Sequence, residues 1–307
     1  MGVTVVGSVA FDSLETPFGT RERVLGGAAT HFSLAASFFT DVHVVGVVGD
    51  DFGDEELAVF SERGIGTEDL ERVEGQRSFH WSGRYEDDMS VAHTLATELN
   101  VFADFDPQLS ETARRASTLF LANIQPDLQR RVREQSEARL SGLDSMNYWI
   151  ESARDSLVAA MARVDVVSLN DAEVRMLTGE PNLARAARLV LDLGPGVALV
   201  KQGPYGAVMY THDDFFSIPP YPLETVVDPT GAGDSFAGGF FGYLDSLGQD
   251  QPSRDGLRAA AVYGSVLGSF VVEDFGTERV QRLTREEIST RFGEFREMMT
   301  FEEPAPA

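Results

Sequence analysis

The chain has no cysteine, which excludes disulfides, thiolate metal sites and cysteine nucleophiles. It has almost no lysine: of 25 basic residues only Lys201 is one, and the rest are arginine. A Walker A loop needs Gly-Lys-Ser/Thr, and Lys201 is followed by Gln202, so a P-loop NTPase is excluded. No His-Arg-Asp triplet occurs, which excludes a protein kinase. No apolar run reaches the roughly 18 residues of a membrane span. The start, MGVTVVGSVAFDSLE, lacks a basic leader and runs straight into a strand-like pattern, so a cytoplasmic protein is expected.

Basic charge is scarce overall. The 49 acidic residues leave a net charge of −24, which repels nucleic acid and anionic membrane. The acids are spread through apolar, periodic segments, as on a solvated surface, and form no disordered tail. With 307 residues and 43% hydrophobic content, the chain suits one large α/β domain with an ample core.

Apolar β-branched runs alternate with helical patterns. Strands are expected over 3–9, 42–48, 118–123, 140–143, 165–169 and 197–201. Helices are expected over 28–39, 54–63, after Pro126, and over 150–163, 171–177 and 183–193. This alternation predicts a mostly parallel central sheet with helices on both faces. Residues 11–25 and 77–102 interrupt it with polar, partly alternating strands, read as a small β lid inserted into a domain of residues 1–300. The last third is helical, over 232–247, 254–272 and 285–299, and 301–307 reads as a frayed tail.

The most informative segment is VVDPTGAGDSFAGGFFGYL, residues 226–244. Pro229 ends the preceding strand or loop, and Gly231 and Gly233 permit a tight turn. A helix follows, with Phe236, Phe240, Tyr243 and Leu247 as its apolar stripe. At about 100° per residue, Asp234 lies roughly 160° from Phe236, in the first turn and facing a cleft. The amides of Gly231, Ala232 and Gly233 would then point out of the helix start, where the dipole favours anions. Fixed N–H donors of this kind stabilise a phosphoryl group in transfer, and a neighbouring carboxylate can take a proton from an incoming hydroxyl. An acidic residue in a first helical turn also serves simply as a dipole partner.

This segment resembles the C-terminal signature of the PfkB/ribokinase family, usually D-T-x-G-A-G-D-x-F, with Pro229 in place of the usual Thr. Five weaker similarities occur in family order: GSVAFDSL, LGGAATHFSLAASFF, VGVVGDDFG, SLNDAEVRMLTGE and VKQGPYGA. The resemblance implies a three-layer ribokinase-like fold. It also implies an ATP-dependent, Mg2+-assisted kinase that phosphorylates a hydroxyl of a small sugar, with a lid that keeps water out.

Carried onto this sequence, the resemblance implies Asp234 as catalytic base and Gly231, Ala232 and Gly233 as the anion hole. It implies Asp12, Gly26 and Gly27 at the acceptor, with His31 and Asn123 as further substrate contacts. Asn170 and Glu173, one helical turn apart, would manage Mg2+ through water; the same pair also reads as a helix capping box. Lys201, Gly203 and Gly206 would lie by the ATP phosphates, Ser265 and Gly276 near the adenine, and Asp228 beside a monovalent cation such as K+. The lid aromatics Phe79, His80, Trp81, Tyr85 and His93 would stack on a substrate or form the lid's own core. Asn147 is a further contact candidate.

A ribose-like sugar is the leading acceptor, with a nucleoside or an inositol as alternative, and a homodimer through the lid is expected. A dinucleotide oxidoreductase is disfavoured, because GSVAFD follows the first strand and Phe236 stands where a third glycine is needed. A non-catalytic sensor on a kinase fold would lack the base or the anion hole, and both are present.

Overall fold

The computed structural model describes residues 2–89, 91–249 and 251–301. Two sheets organise it. The strands in chain order are β1 (Val3–Val6), β2 (Ala10–Thr16), β3 (Gly19–Gly26), β4 (Val42–Val48), β5 (Gly66–Arg72), β6 (Phe79–Tyr85), β7 (Ala92–Glu98), β8 (Thr118–Leu121), β9 (Leu140–Asp144), β10 (Val166–Asn170), β11 (Val197–Lys201), β12 (Ala207–Thr211) and β13 (Phe215–Ile218). The central nine-stranded sheet runs β13-β12-β11-β10-β9-β8-β1-β4-β5, parallel except for β12 and β13. Its central strands are buried from end to end, as helix-covered parallel strands must be, which explains their largely apolar sequences. Two apolar layers flank the sheet. One gathers Phe32, Phe120, Phe240 and Phe241; the other gathers Leu143, Leu157, Val167 and Val190.

The second sheet has four strands in the order β3-β2-β6-β7 and forms the lid expected from 11–25 and 77–102. Residues 100–104 at its end form a 3-10 turn. The lid seats on the main body through a small apolar cluster of Leu14, Tyr85 and Phe275. Residue 90 of the lid and residues 302–307 of the expected frayed tail lie outside the described residues.

Several boundaries depart from the sequence reading. The helix expected over 150–163 is two helices, Asn147–Ser152 and Arg154–Met161, with a break at Ala153. Helix Ala28–Ala36 ends three residues early, and β8 ends at Leu121. The strands β5, β12 and β13 were not expected. β5 carries four acidic or basic residues, and β12 and β13 form an antiparallel hairpin at the sheet edge, where half-exposed residues blur the apolar signal.

Candidate active site

The chain order of the central sheet reverses beside β1, whose neighbours are β4 and β8. Open α/β sheets bind ligands at such a point, beyond the carboxyl ends of the strands. Four adjacent strands deliver polar side chains there. Asn123 follows β8, Asp144 ends β9, Asn170 ends β10 and Lys201 ends β11. The signature helix Ala232–Ser246 points its N-terminus at the same place.

Gly231 is the helix N-cap and adopts φ 75°, a left-handed conformation that glycine takes without strain. The space is also closed to a side chain, since a Cβ there would stand 2.3 Å from the His31 ring. The expected row of three free amides is a correction: the Ala232 N–H donates to the Pro229 carbonyl at 3.2 Å. The amides of Gly231 and Gly233 take no acceptor among the described residues. A Cβ at Gly233 would lie 2.9 Å from the Lys201 ammonium, so this cation stands against the same turn.

Lys201 is held by Asp144, with Nζ 2.7 Å from Oδ2, and both side chains are largely buried. Burial alone would lower the lysine pKa, but Asp144 and Glu173 outweigh it and raise it. Asp144 escaped the sequence reading. The signal was present in LDSMN, as a carboxylate closing a buried strand, but the adjacent Asn147 drew attention instead. Asn147 begins an exposed helix start.

Asp234 sits half-buried in the first helical turn. Burial and then the charge of Asp144 push its carboxyl up to about 7, against the opposing pull of Lys201. Glu173 is likewise pushed up to about 7, first by burial and next by Asp144. The capping box expected at this helix is formed: Asn170 Oδ1 accepts from the Glu173 N–H, and Glu173 Oε2 accepts from the Asn170 N–H, both at 2.8 Å. One carboxylate oxygen therefore serves the helix, and the other remains for a ligand.

On the acceptor side, Asp12 lies in β2, buried, and is pushed up to about 7 by burial, then by Asp228 and, more weakly, Asp234. Gly26 makes room for it: a Cβ at Gly26 would stand 1.9 Å from Asp12 Oδ2. Gly27 adopts φ 93° at the N-cap of helix Ala28–Ala36, and its N–H supports the Asp12 carboxylate. His31, in that helix, is buried and pushed down to about 4 by burial, so it is neutral; its Nε2 has no partner among the described residues. Asn123 donates to Met146 Sδ at 3.1 Å, and its buried Oδ1 has no partner among the described residues.

Asp228 is fully buried and acts as a brace. Its two oxygens accept the backbone N–H groups of Thr230 at 2.9 Å and Gly276 at 2.8 Å. Gly276 thus lies at this brace, close to Val24 of the lid. Gly203, Gly206 and Ser265, in contrast, line a cavity of about 640 Å3 that runs from Lys201 along the signature helix to Val272. The lid aromatics are mostly occupied within the lid. Phe79 packs on Phe102, His80 Nε2 meets Ser13 Oγ at 2.9 Å, and the Trp81 indole donates to Thr94. His93 lies near Glu86 on the exposed side. Tyr85 reaches across to Thr230 Oγ1 at 3.1 Å, just before Gly231.

Gly233 and Lys201 line the cavity, with Asp234 next in the chain and within electrostatic reach of Lys201, an arrangement that suits a phosphotransferase class of site. The pfkB family carbohydrate kinase model matches residues 4–282, and the chain belongs to that family. A cytidine kinase from Thermococcus kodakarensis is 28% identical over 268 residues, covering 85% of this chain and 95% of that protein. A nucleoside kinase from Methanothermobacter thermautotrophicus is 27% identical over 259 residues, covering 82% and 80%. The crystal structure of adenosine kinase from Sinorhizobium meliloti superposes with a TM-score of 0.79 at 17% identity, covering 95% of this chain and 98% of that one, which shows the shared fold. Family and site geometry together support a phosphotransferase. Among the described residues no helix is long and apolar enough to cross a membrane.

Proposed function

We propose that the protein is an ATP-dependent nucleoside kinase that phosphorylates a primary hydroxyl, with Asp234 as general base. The observation that carries the reading is the meeting of Asp234, the Gly231 and Gly233 amides and Lys201 at one point. The acceptor hydroxyl gives its proton to Asp234 as its oxygen bonds to the γ-phosphorus. The bond from that phosphorus to the β–γ bridging oxygen breaks, and ADP leaves. Charge on the transferring group falls to the two amides and to Lys201. Asp12, beside Gly26 and Gly27, accepts hydrogen bonds from acceptor hydroxyls, and the unpartnered His31 Nε2 and Asn123 Oδ1 face the same need. Ser265, Gly203 and Gly206 line the ATP cavity in this reading, and Gly276 acts through the Asp228 brace.

Mg2+ fits the donor set. Glu173 keeps Oε1 for a cation that retains its waters and takes phosphate oxygens, while both oxygens of Asp144 are engaged, Oδ2 by Lys201 and Oδ1 by the Ser145 N–H. When bound, it would neutralise charge on the phosphates. A monovalent cation beside Asp228 and a homodimer through the exposed strand β7 belong to the same reading.

The nucleoside is favoured over the ribose-like sugar because, among relatives matched over four-fifths of this chain, the cytidine kinase and the nucleoside kinase are 28% and 27% identical and a ribokinase from Lactococcus lactis is 26% identical. A coupled ADP-release screen with cytidine, adenosine, inosine, ribose, fructose and myo-inositol tests this. A nucleoside is expected to exceed every free sugar in kcat/KM by about tenfold or more, since a bound base adds contact free energy. A free sugar as the best acceptor would return the reading to a sugar kinase.

A further inference from the structure

One wall of the cavity is built by two segments. One is the proline-rich loop around Tyr221; the other is helix Arg254–Val271, which presents Ser265, Gly268 and Ser269. Both are gripped from behind by a single side chain of the C-terminal helix Arg285–Met298. The Arg291 guanidinium lies 3.4 Å from the centroid of the Phe270 ring and 4.2 Å from that of Tyr221. It donates through Nη1 to Ser269 Oγ at 3.1 Å and through Nη2 to Glu273 Oε1 at 2.7 Å. Its side chain is only 12% exposed. A second tie, from the Tyr221 hydroxyl to Glu294 Oε2 at 2.7 Å, fixes the same loop to the same helix.

We propose that Arg291 is a positioning residue for the phosphate donor, holding Tyr221 and Ser269 at the separation that admits the base of a nucleotide between loop and helix. The proposal rests on the reading of this cavity as the nucleotide site. A planar guanidinium suits the task, because it stacks on two ring faces while its edge makes directed hydrogen bonds. An ammonium reproduces the charge but not the fork. Arg291 touches no reacting group, so its loss should act on donor binding and leave the chemistry alone.

Arg291→Met retains the packing of the stem and removes the cation and both hydrogen bonds. It leaves Glu273 paired, because Arg279 Nε also binds that carboxylate at 2.8 Å, so no buried charge is stranded. The dissociation constant for ADP, measured by titration calorimetry, should rise about tenfold in Arg291→Met and about threefold in Arg291→Lys. The KM for the acceptor and kcat at saturating ATP should stay within about twofold of the parent. Should the Met variant fail to fold, the Lys variant carries the test alone. An unchanged ADP constant, or acceptor KM and ADP constant rising together, would overturn the positioning role. Failure of the unaltered protein to bind ADP would instead sink the nucleotide-site reading, and this inference with it.

Discussion

Three carboxyls of the candidate active site, Asp12, Glu173 and Asp234, are each pushed up to about 7, chiefly by burial. A general base must be unprotonated to accept a proton, so a raised pKa moves the acid limb of activity upward from the usual carboxylate range near 4. kcat/KM for the acceptor, followed from pH 5 to 9, is therefore expected to climb with rising pH and level off above about 7. A profile flat down to pH 5 would contradict the placement of the base. Lys201 moderates the effect, since its ammonium lowers both Asp234 and Glu173 while Asp144 raises both. The cost of burying acid beside acid is part of the site's design in physical terms: a less buried Asp234 would be a weaker base.

At the scale of elements, legibility followed burial. The strand Val197–Lys201 and the start of the signature helix at Ala232 were readable to the residue, because an unbroken apolar run and a Pro-Gly turn leave few alternatives. The lid was readable from its half-wet strands. Edge strands were not: β12 and β13 gain their place from pairing across the sheet, which no local pattern records. Within the candidate site, Asp234 stood out in the sequence from its turn, and Asp12, Glu173 and Lys201 through family resemblance. Asp144 was not, because its meaning depends on Lys201, 57 residues away. Nor could the sequence show that Ala232 gives its amide to Pro229, which depends on the angle at which the turn closes. The contacts of Arg291 were equally hidden, since they form only once the C-terminal helix is docked.

For the molecule as a whole, the −24 charge is the dominant feature outside the site. Ion pairs such as Arg114 with Glu137 and Arg254 with Asp214 are exposed in part and offset little of it. Self-repulsion of a surface this acidic opposes compaction, and salt screens it. The melting temperature is expected to rise by about 5 °C or more between low salt and about 1 M KCl; a constant or falling value would mean that repulsion is not what limits stability. The proposed role of Asp234 as base is the claim that matters most. Asp234→Asn keeps the shape of the side chain and removes its capacity to take a proton. The account predicts that kcat falls by about two to four orders of magnitude while the ADP dissociation constant stays within about twofold. Activity near that of the parent in this variant would contradict it.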